Sequence, residues 1–233
     1  YPIPIADITT GMYATMGIMG ALMTRERTGR GQVLDLTLLE SQSAWLTILA
    51  SSLMNGGQEP ERLGNVHPNI VPYQVFKARD KYFIIAVGTE RLWHIFCDTV
   101  GLERLKDDPR FATNRQRNQN RAALLEILDS LFATQTAAYW IEKLGDTGIP
   151  IGPINTIAET LAHPQHQARN FIVGLEHPLA GTVKAMGNPI RLSDTPVSYR
   201  LAPPTLGQHT SEILTELGYN AQAISSLQEQ AVV

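Results

Sequence analysis

A single carboxylate stands just before a long run of small and apolar residues near the start of the chain. Asp7 follows the proline-containing residues 1–6 and precedes a predicted helix. The N-terminal end of a helix presents free backbone N–H groups and the positive end of the helix dipole, which both favour a negative charge. Asp7 can therefore either cap the helix or act as a nucleophile. Its position alone favours the N-cap, with Thr9 and Thr10 as alternative caps.

A histidine is the second candidate for chemistry, and it lies in a long polar loop. Residues 55–72 are rich in glycine, proline and asparagine, and they include His67-Pro68-Asn69. A loop of this length inside a compact chain is usually functional or disordered. His67 can serve as a ligand or a general acid, although a His-Pro-Asn turn is also ordinary loop chemistry.

The remaining metal-binding and nucleophilic side chains give weaker signals. His163 and His166 are close in sequence but have no cysteine or group of carboxylates nearby, so no metal site is predicted. The only cysteine, Cys97, falls in an apolar helical segment, which favours a buried and unreactive thiol over a catalytic one. A single cysteine cannot form an internal disulfide, and a reducing compartment is therefore expected.

The composition limits the class of protein. The 233 residues are 43% hydrophobic and 18% charged, values that are ordinary for a globular protein. The formal net charge of −3 argues against nucleic-acid binding, which normally requires a basic surface. No segment has the uninterrupted apolar length of a membrane span, so no membrane partner is expected. The chain begins without Met, which suggests the later part of a longer polypeptide.

The elements that must position these residues alternate between helices and strands. Hydrophobic patterns predict a helix at residues 8–27, a strand at 32–38 and a buried helix at 40–54. A β-hairpin is predicted at residues 73–87, followed by amphipathic helices and then further short strands. We therefore predict an α/β fold with α+β character.

The predicted domain organisation has three parts. Residues 1–72 form a linker and helical part that carries Asp7, and residues 73–171 form a small α+β domain. Residues 172–233 form a segment that returns to the larger domain.

The order of several short motifs along the chain indicates a family resemblance. The sequence is similar to the type III CoA-transferase family, also called the CaiB/BaiF family, over essentially its whole length. The motifs that carry the resemblance are residues 5–13, 17–22 with Arg25, 28–32, 71–76, 108–111, 148–154 and 206–210. The sequence of residues 64–74 looks most like that of the subgroup that uses succinyl-CoA and dicarboxylates.

The resemblance implies a catalytic role for Asp7, because the family places its catalytic aspartate directly before the glycine-rich first helix. In the implied mechanism, Asp7 forms mixed anhydrides and an aspartyl-CoA thioester as CoA moves to a carboxylic acid. Some relatives close a glycine-rich loop over the site. Residues 64–72 occupy the equivalent stretch but are not a glycine run, so Gly64, His67 and Asn69 are the candidate substrate-binding residues.

The resemblance also carries expectations about cofactors and partners. CoA and acyl-CoA are expected as substrates, with no tightly bound cofactor and no metal. The resemblance places most CoA-binding residues in an N-terminal Rossmann-like part that this chain mostly lacks. The family forms interlocked homodimers, and the expected compartment is the cytoplasm, or the mitochondrial matrix in a eukaryote.

Two other functions remain open from the sequence. One is an α-methylacyl-CoA racemase of the same fold, in which the aspartate works with a histidine upstream of this chain. Racemases favour a different loop from the one that contains His67. The other is a non-catalytic fragment or interaction module, since most of the expected CoA site is absent.

Overall fold

The computed structural model of the chain describes residues 3–57 and 59–233. It divides into two compact units, residues 1–68 and residues 69–233. The first boundary lies four residues before the one we predicted at residue 72, and the three-part division stays a prediction. The two units are described separately below.

The first unit begins with the long helix α1, Ile5–Thr28. The helix starts three residues earlier than predicted and ends at Gly29, whose φ of 70° is the left-handed conformation typical of a glycine C-cap. The Gly29 N–H donates to the Arg25 carbonyl at 2.8 Å. One face of α1 passes close to the following segment, because a Cβ on Gly17 would lie 2.5 Å from Leu34 Cδ2.

The strand predicted at residues 32–38 is wrong. No ladder partner exists for these residues within the described part of the chain, and Thr37 instead caps α2, Leu38–Ser43, by accepting a hydrogen bond from the Glu40 N–H at 3.1 Å. The alternating pattern therefore belongs to an extended approach to a helix, since an isolated extended segment has no strand to pair with.

The long buried helix predicted at residues 40–54 is also wrong in two respects. It is divided into α2, a 3₁₀ turn at Ala44–Leu46, and α3, Thr47–Met54. Thr47 has a φ of 41°, which is incompatible with a continuous helix and explains the interruption. No described residue of α3 is buried, because the apolar side chains of α3 lie at the surface of this chain.

The second unit contains the predicted β-hairpin as part of a three-stranded sheet, whose third strand the sequence did not predict. Strands β1, Tyr73–Lys77, and β2, Tyr82–Ala86, form the predicted antiparallel hairpin, and β3, Ile151–Pro153, pairs antiparallel with β2. The strand order is β1-β2-β3. Alternate residues of β1 and β2 are buried, as expected of a sheet with one face against a core.

Four helices pack against strands of this sheet or against one another and complete the core. They are α4, Glu90–Val100; α5, Asn114–Gln119; α6, Arg121–Phe132; and α7, Ala137–Gly145. Phe132 lies at the centre of the core, with its ring centroid 4.9 Å from that of Phe76 and 5.0 Å from that of Phe83. Offset and edge-to-face contacts of this kind stabilise aromatic cores beyond simple area burial.

The remainder of the second unit is built from short elements. Helices α8, Ile157–Leu161, and α9, Pro164–Ala168, precede a hairpin of β4, Ile172–His177, and β5, Gly181–Met186. The chain ends with helices α10, Thr210–Glu216, and α11, Ala221–Glu229. The mixture of helices with small antiparallel sheets agrees with the predicted α/β class of α+β character.

Candidate functional site

Asp7 lies in the first turn of α1 and is not its N-cap. The N-cap is Pro4, which makes no side-chain cap, and the helix runs from Ile5. The N-cap interpretation of Asp7 is therefore wrong. The alternative Thr10 cap is wrong as well, because the Thr10 hydroxyl donates to the Ala6 carbonyl at 2.7 Å inside the helix. Thr9 is buried within the helix rather than at its N-terminus.

The local geometry leaves the Asp7 carboxylate available for chemistry. An acidic side chain at the third helical position ordinarily bonds back to the N-cap N–H, but Pro4 has no N–H to donate. Asp7 is exposed, and no hydrogen bond or ion pair joins its carboxylate to another described residue. It retains the favourable field of the helix N-terminus, because it lies within the first turn. This arrangement suits an accessible anionic nucleophile.

The loop at residues 55–72 contains the other three predicted site residues. Its described residues, 55–57 and 59–72, form no regular secondary structure after α3. Gly64 has a φ of 62°, a conformation that favours glycine, and the Val66 N–H donates to the Leu63 carbonyl across this turn at 3.1 Å. His67 is half-buried and Asn69 is exposed. Gly64 and His67 belong to the same unit as Asp7, whereas Asn69 is the first residue of the second unit.

The C-terminal end of this loop is held by Asn114. The Asn114 Nδ2 donates to the Asn69 carbonyl at 2.7 Å, and the Asn114 Oδ1 accepts from the Val71 N–H at 3.1 Å. One amide side chain therefore uses both its donor and its acceptor on the main chain of the loop, from a position more than 40 residues further along the sequence.

Arg117 is fully buried one turn after Asn114 and extends the same network. Its Nε donates to the Val71 carbonyl at 2.8 Å, and its Nη1 donates to Glu90 at 2.9 Å and to the Phe111 carbonyl at 3.1 Å. The guanidinium carbon lies 4.7 Å from the ring centroid of Trp93. Burial lowers the pKa of Arg117, while its hydrogen bond and ion pair with Glu90 act in the opposite direction.

The sequence did not identify Asn114 and Arg117 as important, because residues 114–121 read only as a polar stretch. One local signal was present. Thr113 and Gln116 form a capping box, in which Gln116 N–H donates to the Thr113 hydroxyl and the Gln116 carboxamide accepts from the Thr113 N–H. That pattern locates the start of α5, but it does not reveal where the side chains after it point.

The other chemical candidates occupy ordinary positions. Cys97 is buried in the core, and this burial raises the pKa of its thiol to about 12. No group of three or more His, Cys, Asp or Glu residues suited to a metal ion is found in the part of the chain that the structure describes. Among the described helices, none combines the length and apolarity needed to cross a bilayer.

Comparisons with known proteins show that this chain is similar to CoA-transferases. The family model for CoA-transferase family III matches residues 1–210. The chain is 38% identical to the succinyl-CoA:glutarate CoA-transferase of Mus musculus over 97% of its own length and 52% of that protein. It is 37% identical to the succinate–glutarate CoA-transferase of Agrobacterium fabrum over 92% of its length and 54% of that protein.

A solved structure shows the same similarity. A CaiB/BaiF family protein from Brucella suis is 37% identical to this chain, with a TM-score of 0.79 over 93% of this chain and 56% of the other. The chain spans about half the length of the curated relatives it matches.

Proposed function

Because this chain belongs to CoA-transferase family III, we propose that it moves CoA from an acyl-CoA donor to a carboxylic acid. The observation that carries this proposal is the similarity to glutarate CoA-transferases, which extends over more than nine-tenths of the chain. The accessible Asp7 carboxylate at the start of α1 supplies the nucleophile that such a reaction needs.

The proposed mechanism passes through three covalent intermediates on Asp7. The carboxylate attacks the donor thioester carbonyl and expels CoA thiolate, which leaves a mixed anhydride. The thiolate attacks the aspartyl carbonyl of this anhydride, releases the donor carboxylate and forms an aspartyl-CoA thioester. The acceptor carboxylate then attacks that thioester and again expels CoA thiolate. Attack of the thiolate on the acceptor carbonyl of the second anhydride yields the new acyl-CoA and restores Asp7.

The proposed donor is succinyl-CoA, and the proposed acceptor is a dicarboxylate such as glutarate. This choice is supported by relatives named for those substrates. We assign substrate contacts to His67 and Asn69, with Gly64 providing the turn that leads to them. Each tetrahedral step develops an oxyanion, and we expect backbone N–H donors of a loop to stabilise it.

The proposed assembly is an interlocked homodimer, in the cytoplasm or, in a eukaryote, in the mitochondrial matrix. CoA and acyl-CoA are the proposed small-molecule partners, and no tightly bound cofactor is needed for the mechanism. Most of the CoA-binding residues are proposed to belong to the part of the family fold that this chain does not span.

A transfer assay tests the proposed function. The protein is incubated with succinyl-CoA and a panel of carboxylic acids, and new CoA thioesters are identified by mass spectrometry. Formation of a dicarboxylate thioester with release of succinate supports the proposal. Stereochemical scrambling of a 2-methylacyl-CoA without CoA exchange would instead indicate a racemase, and no reaction with any donor would indicate a non-catalytic module.

A further inference from the structure

The backbone of residues 69–71 is held by side chains from a distant helix. Asn114 binds the Asn69 carbonyl at 2.7 Å and the Val71 N–H at 3.1 Å, and Arg117 binds the Val71 carbonyl at 2.8 Å. A segment without regular secondary structure has no ladder or helical hydrogen bonds of its own, so bonds of this kind determine its conformation.

Glu90 aligns the two side chains that hold the loop. Its Oε1 accepts from the Asn114 N–H at 2.7 Å, and its Oε2 accepts from Arg117 Nη1 at 2.9 Å. The carboxylate thus holds the first turn of α5 against the start of α4 from one side. On the other side the Arg117 guanidinium stacks against Trp93 in the core. Asn114 is thereby presented to the loop from a helix that is anchored to the core rather than from another loop.

Within this network, Asn114 is the residue that binds the main chain of a predicted site residue, Asn69. Its Nδ2 fixes the carbonyl of Asn69, and this fixes the direction in which the neighbouring peptide and the Asn69 side chain leave the backbone. Pro68 and Pro72 lie on either side of residues 69–71, and their rings restrict the backbone further. A small loss of order at Asn114 would therefore be transmitted to Asn69.

We propose that Asn114 is a positioning residue, which holds Asn69 and the end of its loop in the conformation that receives the acceptor carboxylate. The inference deepens the proposed function and rests on it, because it takes residues 64–72 to be the substrate loop. Asn114 acts through Asn69, and it is not assigned any contact with the substrate itself.

Residue-resolved amide hydrogen exchange of the whole chain tests the tether without relying on catalysis. The variant Asn114→Ala removes both hydrogen bonds to the loop, and Asn114→Asp keeps the acceptor for the Val71 N–H. The matched control is Asn120→Ala, since Asn120 is also half-buried and donates to two carbonyls, those of Arg110 and Gln116, but to none in the loop.

The expected result is local. In Asn114→Ala the Val71 amide exchanges about tenfold faster, which corresponds to the loss of one to two ordinary hydrogen bonds. Amides of the β1–β2 hairpin keep their wild-type rates, Asn114→Asp restores protection of the Val71 amide, and Asn120→Ala leaves it unchanged. Equal acceleration throughout the unit in Asn114→Ala, or no acceleration at Val71, would overturn the proposal.

Steady-state kinetics separates positioning from general stability. In Asn114→Ala the KM for the acceptor carboxylate is expected to rise about tenfold, while the KM for the acyl-CoA donor changes little. Asn120→Ala should change neither value, and an unchanged acceptor KM in Asn114→Ala would refute the positioning role. If the wild-type protein transfers no CoA, the proposed function fails, while the exchange experiment still decides whether Asn114 holds the loop.

Discussion

Replacement of the buried Arg117 by methionine should destabilise the second unit by about 2–4 kcal/mol. Methionine retains an apolar stem beside Trp93 but donates no hydrogen bond. The carbonyls of Val71 and Phe111 would each lose a donor in Arg117→Met, at a cost of about 1–3 kcal/mol apiece for a buried acceptor left unsatisfied.

Two effects reduce the total for this variant. The Glu90 side chain is 49% exposed, so water can replace its lost partner at little cost. Arg117 is also desolvated in the native state, and its Nη2 has no hydrogen-bond partner among the described residues, so its removal relieves part of a penalty that the folded protein already carries. The net value therefore lies below the sum of the lost bonds.

Urea unfolding followed by tryptophan fluorescence measures the change, because Trp93 and Trp140 both lie in the core of this unit. The matched control is Arg115→Met, which removes the same charge from an exposed position of the same helix and should stay within about 0.5 kcal/mol of wild type. If Arg117→Met is as stable as Arg115→Met, or more stable than wild type, the buried guanidinium does not stabilise the fold and our reasoning is refuted.

Two further predictions concern groups whose pKa is shifted. The Cys97 thiol, with a pKa of about 12, should not react with a disulfide reagent near pH 8 until denaturant is added, and rapid stoichiometric labelling of the native protein would contradict its burial. The hydrogen bond from the Ala137 N–H lowers the pKa of Asp80 in the folded protein. The ionised carboxylate therefore stabilises the fold at pH values above its unfolded pKa, which is near 4. This contribution is lost as the pH falls through the lower pKa of the folded state. Thermal melts should therefore show wild type more stable than Asp80→Asn near neutral pH, with the difference shrinking below about pH 4; a difference independent of pH would count against this assignment.

Local sequence patterns predicted the elements whose stability comes from near neighbours. The hairpin of β1 and β2 was predicted because alternating apolar residues flank a short turn, and both strands pair as expected. Helix α1 was predicted to within three residues at its start, since its composition and the glycine after it give clear signals. The strand predicted at residues 32–38 failed because alternation alone does not supply a partner strand.

The candidate site was predictable only in part. The position of Asp7 near a helix N-terminus followed from the sequence. The identity of the N-cap did not, because proline has no side-chain acceptor and is not a preferred N-cap residue, whereas aspartate is. The contacts of Asn114 and Arg117 with the loop span 43 to 46 residues, so no local pattern could indicate them. The packing of the core determines which polar side chains of α5 face inwards.

The central claim is that Asp7 carries CoA during the reaction, and intact-mass spectrometry after incubation with succinyl-CoA tests it most directly. We expect the wild-type protein to gain the mass of an aspartyl-CoA thioester and to lose it on treatment with hydroxylamine. The variant Asp7→Asn should gain no such mass. Peptide mapping should place the adduct on Asp7. Absence of any adduct on wild type, or an equal adduct on Asp7→Asn, would contradict the claim.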